Sequence, residues 1–400
     1  MGFLGGIGGG VVFPILPALG ERMGLTALMV GVILAANRIV RLGVNPVTGA
    51  LTDRFGGRGV IAAGLFIEGV GTLGYIAALH YPHPAAWFLA GRIVWGVGSS
   101  LLFVGAVAAV LGFSATRERG RLVARARSAI SLGMPAGLVI GGLVTDFVSA
   151  DAAFVVAALL SAGAGVAAFA GIPRGPAHAA RGGSGATPPG STLREWLTLL
   201  TQRRLLGIWL YAALVFFSTG GLLLATLVVF IDRRGVLIPG LAAEGSAGLL
   251  MGVLMLLYAG TSVTVGRHID ALGRRTAVLL PTLTALVAGF TVLAFAHSLA
   301  ILIIALVIIG AGTGGMTIPL LTLLGDLVPA ERRGRATGLY QVAADTGGSA
   351  GPIVGLVLAT SFGFVETYIG LAAVFLLTVP VALSLVRAER RRATAGERGA

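Results

Sequence analysis

The chain has 400 residues, 56% of them apolar and only 11% charged, with a net charge of +13. Soluble domains carry about 25% charged residues, so this sequence cannot cover a folded core with water-facing side chains, and a soluble globular protein is excluded. It has no cysteine, which excludes disulfides, thiolate metal sites and cysteine nucleophiles.

Spanning a bilayer takes roughly 20 predominantly apolar residues. Windows of that kind fall near residues 2–19, 25–48, 59–80, 85–111, 128–148, 152–172, 205–231, 245–265, 276–296, 299–324, 336–360 and 367–386. They predict an all-α membrane protein of twelve transmembrane helices. The apolar run from Thr276 to Gly325 is too long for one helix and breaks at His297-Ser298. Met1 opens directly in apolar sequence, which points to a start upstream or to a short first helix. The connection from Ile172 to Arg204 holds Pro173, Pro176, Pro188 and Pro189 and reads as a flexible linker. Within it, Thr192 and Glu195 stand at capping-box spacing before Trp196, as in a short interfacial helix. The expected domains are an N-terminal six-helix bundle (1–172), a cytoplasmic linker (173–204), a C-terminal six-helix bundle (205–386) and a basic tail (387–400).

All 29 basic residues are arginine, and their placement sets the orientation. With both termini in the cytoplasm, 23 of them fall on the inner side, three (Arg22, Arg233 and Arg234) on the outer side and three within helices. That is the bias of the positive-inside rule. It explains the net charge through anionic lipid headgroups and leaves no need for a nucleic-acid partner. The cell (inner) membrane is the expected location.

The two halves resemble each other. A shift of 214 residues lays Gly96, Gly98, Gly133, Gly137 and Gly141 on Gly310, Gly312, Gly347, Gly351 and Gly355. A shift of 217 lays Gly49, Asp53, Gly56 and Arg58 on Gly266, Asp270, Gly273 and Arg275. Parallel six-helix repeats are a transporter architecture, with the substrate site between them near mid-membrane.

The segment Gly49-Ala-Leu51-Thr-Asp53-Arg54-Phe-Gly56-Gly-Arg58 resembles the signature loop of the major facilitator superfamily, with Gly57 in place of one basic residue. Its second copy keeps Gly266, Asp270, Gly273, Arg274 and Arg275. Glycines permit a tight turn, and an aspartate such as Asp53 can pair with a neighbouring helix end, so the loops are expected to gate the cytoplasmic side. Arg92 with Trp95-Gly96-Val97-Gly98 resembles a second motif of the superfamily, and the resemblance implies a role for Arg92 in proton coupling. Gly133, Gly137 and Gly141 partly match the superfamily's exporter motif, and Gly347, Gly351, Pro352 and Gly355 on helix 11 match its spacing better. The plainer reading of both stripes is close helix packing.

Charges inside apolar helices mark functional sites by default. Asn37, Arg38 and Arg41 lie along one stripe of helix 2, and helix 3 holds Glu68. Arg41 and Glu68 each lie roughly 12–14 Å from the loop between them at 1.5 Å per residue, which predicts an ion pair with Arg38 as surplus charge. On helix 11, Asp345 lies about 15 Å deep on a face with Gln341, as befits a proton carrier. Gly347-x-Ser349-x-Gly351 fits a nucleophile elbow but has no preceding strand. Gly69-x-Gly71-x-x-Gly74 fits a dinucleotide fingerprint but lies inside a helix. The five histidines form no metal spacing. No enzyme and no cofactor is expected.

The resemblance implies a secondary transporter of two six-helix bundles, acting as a monomer on a small-molecule substrate and coupled to protons. The favoured reading is efflux of small amphipathic compounds, in the manner of drug–proton antiporters. The alternative is an importer or facilitator of an organic anion that uses Arg38, Arg41 and Arg92. A non-transporting sensor or scaffold is the third reading, disfavoured by the lack of a soluble signalling domain.

Overall fold

The computed structural model describes residues 1–113, 119–172, 199–272, 275–329 and 332–397. Among the described residues there is no strand. Eleven helices are long and apolar enough to cross a membrane, and one further apolar helix, of 16 residues, is shorter. In chain order they are α1 (Gly2–Arg22), α2 (Ala27–Thr52), α3 (Arg54–His80), α4 (Pro84–Phe113), α5 (Arg119–Phe147) and α6 (Ala150–Gly171). Next comes α7, which runs from Arg203 to Arg234 and contains a π-helical turn at Ser218–Leu223. The rest are α8 (Ala243–Leu272), α9 (Leu279–Ala294), α10 (Leu299–Leu327), α11 (Arg333–Ser361) and α12 (Phe364–Leu377, continued by Val379–Glu397). With 21 residues, α1 is not a short helix.

Local chemistry sets several boundaries. Thr26, Ser149 and Ser298 cap α2, α6 and α10 through side-chain oxygens that accept from Met29, Ala152 and Ile301, each satisfying one orphan N–H of a first turn. Ser298 is thus the physical cause of the break expected at His297-Ser298. The first signature loop turns at a single residue: helical backbone runs on either side of Gly56, in the first turn of α3, whose φ of 77° and ψ of 156° kink the chain there. Only glycine adopts that geometry without strain. The second copy is braced by carboxylates. Glu389 of α12 accepts from the backbone N–H groups of Arg275 (2.7 Å) and Thr276 (2.9 Å) and from the Thr276 hydroxyl. Arg275 also pairs with Asp326 at 3.2 Å. Residues 173–198 of the linker, with the expected interfacial helix at Thr192–Trp196, lie outside the described residues.

Contacts divide the chain into two compact units. One comprises Met1–Ala186, Leu224–Gly252 and Pro352–Val357; the other comprises Thr187–Leu223, Val253–Gly351 and Leu358–Ala400. In the first, a Cβ on Gly133 or Gly137 would collide with the carbonyl oxygen of Phe3 or Ile7, and one on Gly141 would meet Val11. α5 therefore lies backbone to backbone on α1. In the second, Gly347 and Gly351 bring α11 onto the carbonyls of Ala213 and Phe217 of α7 in the same way. Pro352 and Gly355 are buried in α11 just beyond them. Small residues permit such approach, which is how packed membrane helices gain van der Waals contact.

Candidate functional site

In the first unit, Arg92 of α4 has no exposed surface. A charge so placed is costly unless its donors are satisfied. Its Nε donates to the carbonyl of Ile33 (3.3 Å), and its Nη2 donates to the carbonyl of Leu34 (3.1 Å) and to Oδ1 of Asn37 (2.9 Å). All three acceptors belong to α2. The guanidinium also lies 5.6 Å from the Trp95 ring, within cation–π range. Arg92 therefore does not snorkel to an interface; it fastens α4 to α2 inside the helix cluster.

Glu68 of α3 is equally buried, with 0% exposure, and neither carboxylate oxygen has a hydrogen-bond partner among the described residues. Buried nearby are Trp95 Nε1 and the Ser161 hydroxyl, without hydrogen-bond partners among the described residues, and the Tyr75 hydroxyl, which interacts with Arg92. Arg92 lies 8 residues from the start of α4, Asn37 lies 10 from the start of α2, and Glu68 lies 12 from the end of α3. At 1.5 Å per residue all three sit roughly 12–18 Å from the same, arginine-poor ends of those helices. Four helices thus supply one polar centre, with Ser161 from α6 as the fourth contribution.

Arg41 is half-buried, and its guanidinium lies 5.5 Å from the Phe103 ring. Its charge reaches Glu68 electrostatically, but no hydrogen bond joins them, because both Glu68 oxygens are unbonded. The hydrogen-bonded partner of the stripe is Asn37, and its partner is Arg92 rather than Arg41. Arg38 is half-buried on the same helix. In the second unit, Asp345 of α11 is 5% exposed and has interacting neighbours, while Gln341 one turn away is exposed.

In the first signature loop, Arg54 lies 5.1 Å from the Phe55 ring and Arg58 lies 4.4 Å from the ring of Phe169 at the end of α6. Among the described residues, a Cβ added at Gly49 would meet nothing within 4 Å, and one at Gly266 would meet Ile318 at 3.5 Å. Gly273 and Arg274 lie outside the described residues, as do the side chains of Asp53 and Asp270. Tyr75 and Ser161 were not singled out from the sequence, since a hydroxyl inside an apolar helix usually bonds its own backbone.

The helices, their glycine contacts and the buried charge define a polytopic membrane transporter. The sequence profile of the Major Facilitator Superfamily matches residues 1–243 and 222–400. The chain belongs to this superfamily and is a secondary transporter. It is 23% identical over 390 residues to an MFS-type transporter of Methanocaldococcus jannaschii, covering 96% of this chain and 95% of that one. It is 35% identical over 164 residues to the class C tetracycline resistance protein of Escherichia coli, covering 40% and 39% of the two chains. Such matches to exporters and resistance proteins span only 24–39% of those proteins' lengths. The crystal structure of a bacterial homologue of the human lysosomal transporter Spinster, inward-facing and unoccupied, has the same fold with a TM-score of 0.77. It is 13% identical, with 98% of this chain and 95% of that one covered.

Proposed function

We propose that this transporter is a proton-coupled exporter of small amphipathic compounds that works by alternating access in the cell (inner) membrane, with both termini cytoplasmic. The observation that carries the coupling is Glu68, an acid buried without a hydrogen bond among the described residues, with the charge of Arg41 acting on it. A lone charge there is costly, and binding a proton removes it, so the protonation state of the site changes the energy of the bundle around it. Intramembrane acids serve as proton relays for this reason. Asp345 is the second candidate, already engaged with neighbours. The direction of transport is supported by the tetracycline resistance protein among the relatives, and the orientation by the 23-to-3 division of arginines.

The organic-anion reading needs Arg38, Arg41 and Arg92 to face a substrate. Arg92 is wholly buried and bonded to α2, which disfavours it as a substrate ligand. Reconstitution into vesicles with an imposed pH gradient, screened against amphipathic compounds, tests the proposal. Uphill substrate movement with opposite proton flux is expected. Movement of an organic anion down its own gradient, with no proton flux, would instead support the alternative.

A further inference from the structure

Helix α1 carries glycines at positions 5, 6, 8, 9 and 10, and they face different neighbours. A Cβ on Gly6 or Gly10 would collide with the carbonyl oxygen of Ile130 or Met134 of α5, so these two serve close helix packing. One on Gly5 would lie 2.5 Å from a methyl of Leu102 and 2.6 Å from one of Leu65. One on Gly9 would lie 3.0 Å from the edge of the Trp95 ring. Gly8 is different. The atoms nearest its Cβ position are polar, Trp95 Nε1 at 3.1 Å and Ser161 Oγ at 3.4 Å, and the next, Trp95 Cε2, is 3.8 Å away.

Both polar atoms are buried and have no hydrogen-bond partner among the described residues; Trp95 is 4% exposed and Ser161 0%. An indole N–H only donates, whereas a hydroxyl donates and accepts. Hydroxyls inside apolar helices commonly bond the carbonyl four residues back, as those of Thr48, Thr72, Ser262 and Thr313 do. Ser161 makes no such bond, and its hydroxyl comes to the open side of Gly8 instead. Trp95 Nε1 converges on the same place from α4. Two buried polar groups that meet without bonding are costly. A water molecule relieves that cost where a polar space offers it two to four partners.

We propose that Trp95 and Ser161 bind one water molecule against Gly8, where α1, α4 and α6 meet. The water accepts from the indole N–H and exchanges a hydrogen bond with the Ser161 hydroxyl. It joins α4 to α6 at a level where α1 offers no side chain, which gives Gly8 a role distinct from that of Gly6 and Gly10. Glu68 lies one turn of α1 away: its Oε2 is 3.4 Å from the Cβ position of Gly5, where Leu65 and Leu102 already fill the space. The site does not depend on the coupling ion or on the direction of transport.

The test reads the vibrational band of the indole N–H in the full chain with Trp95 as its single tryptophan, after Trp87→Phe, Trp196→Phe and Trp209→Phe. The parent should show a hydrogen-bonded N–H. Gly8→Ala, whose methyl takes the water's place, should shift the band to that of a free N–H. A free N–H in the parent, or a bonded one that survives Gly8→Ala, would overturn the proposal. Ser161→Ala leaves α1 untouched and keeps the test open should Gly8→Ala fail to fold. Loss of the hydroxyl should weaken the N–H bond, and an unmoved band would show that Trp95 and Ser161 share no partner. Exchanging choline for sodium should leave the parent band in place; a sodium-dependent shift would make the occupant a cation. An experimental map that resolves ordered waters should show one within about 3.2 Å of both Trp95 Nε1 and Ser161 Oγ. A direct bond between those two atoms in its place would contradict the assignment.

Discussion

Asp146, at the end of α5, accepts the backbone N–H of Ala242 through both carboxylate oxygens, at 3.1 and 2.9 Å. Ala242 directly precedes α8, so a helix of the second sequence half is capped by a side chain of the first. Two ion pairs lie beside this contact, Arg22–Glu244 at 2.9 Å and Arg233–Glu21 at 2.6 Å. In the proposed alternating-access cycle, opening of the arginine-poor end is expected to separate these groups. An N-cap is worth about 1 kcal/mol, so Asp146→Ala should raise the population open at that end about fivefold. Spin labels at Tyr81→Cys and Leu237→Cys report the distance, and the cysteine-free chain gives no background. Asp151→Asn, which breaks the His80–Asp151 pair within the first half, should leave the distribution alone. Equal shifts from both changes would rule out the cap as the cause.

Stability separates a bare acid from a paired one. Removing one member of a buried ion pair costs about 3–5 kcal/mol, whereas removing a buried group that lacks partners recovers part of a penalty of about 1–3 kcal/mol. Because no hydrogen bond links Glu68 to Arg41, Glu68→Leu should raise the melting temperature in detergent. Arg41→Gln should change it little. A large loss from both single changes, restored in the double variant, would instead mean that the two form a tight pair.

Depth was legible in the sequence here and azimuth was not. Counting residues from the signature loop put Arg41 and Glu68 at one level, but four residues along a helix turn a side chain by about 40° beyond a full revolution. That difference aims Asn37 at Arg92 and leaves Arg41 beside Phe103. The twelve helices, the break at Ser298 and the repeat followed from apolar length, capping chemistry and glycine spacing. The π turn at Ser218–Leu223 did not, since a change to i→i+5 bonding leaves no mark in an evenly apolar segment. Asp146 reads as an ordinary polar residue at a helix end, and its partner is 96 residues away.

Asp345 offers the competing site for the proton. It is buried in α11 and has neighbours, which suits a structural acid as well as a carrier. Asp345→Asn is expected to slow turnover while keeping the dependence on the pH gradient. Loss of that dependence with substrate exchange intact would move the coupling site into the second half.

Orientation is open to direct labelling. Single cysteines in the central linker and the C-terminal tail should react only with reagents admitted to the cytoplasm, and cysteines near Pro82 and Gly235 only with reagents from outside. An outward-facing linker would reverse the assignment of the 23 arginines.

The most direct measurement is proton movement in vesicles holding either the unaltered transporter or Glu68→Gln at matched protein level, followed with a pH-sensitive dye as substrate is added. The unaltered protein should move protons against substrate and accumulate it, and Glu68→Gln should move neither protons nor substrate uphill while still binding the compound. Full proton-coupled accumulation by Glu68→Gln would contradict the assignment of coupling to the buried centre of α2, α3 and α4.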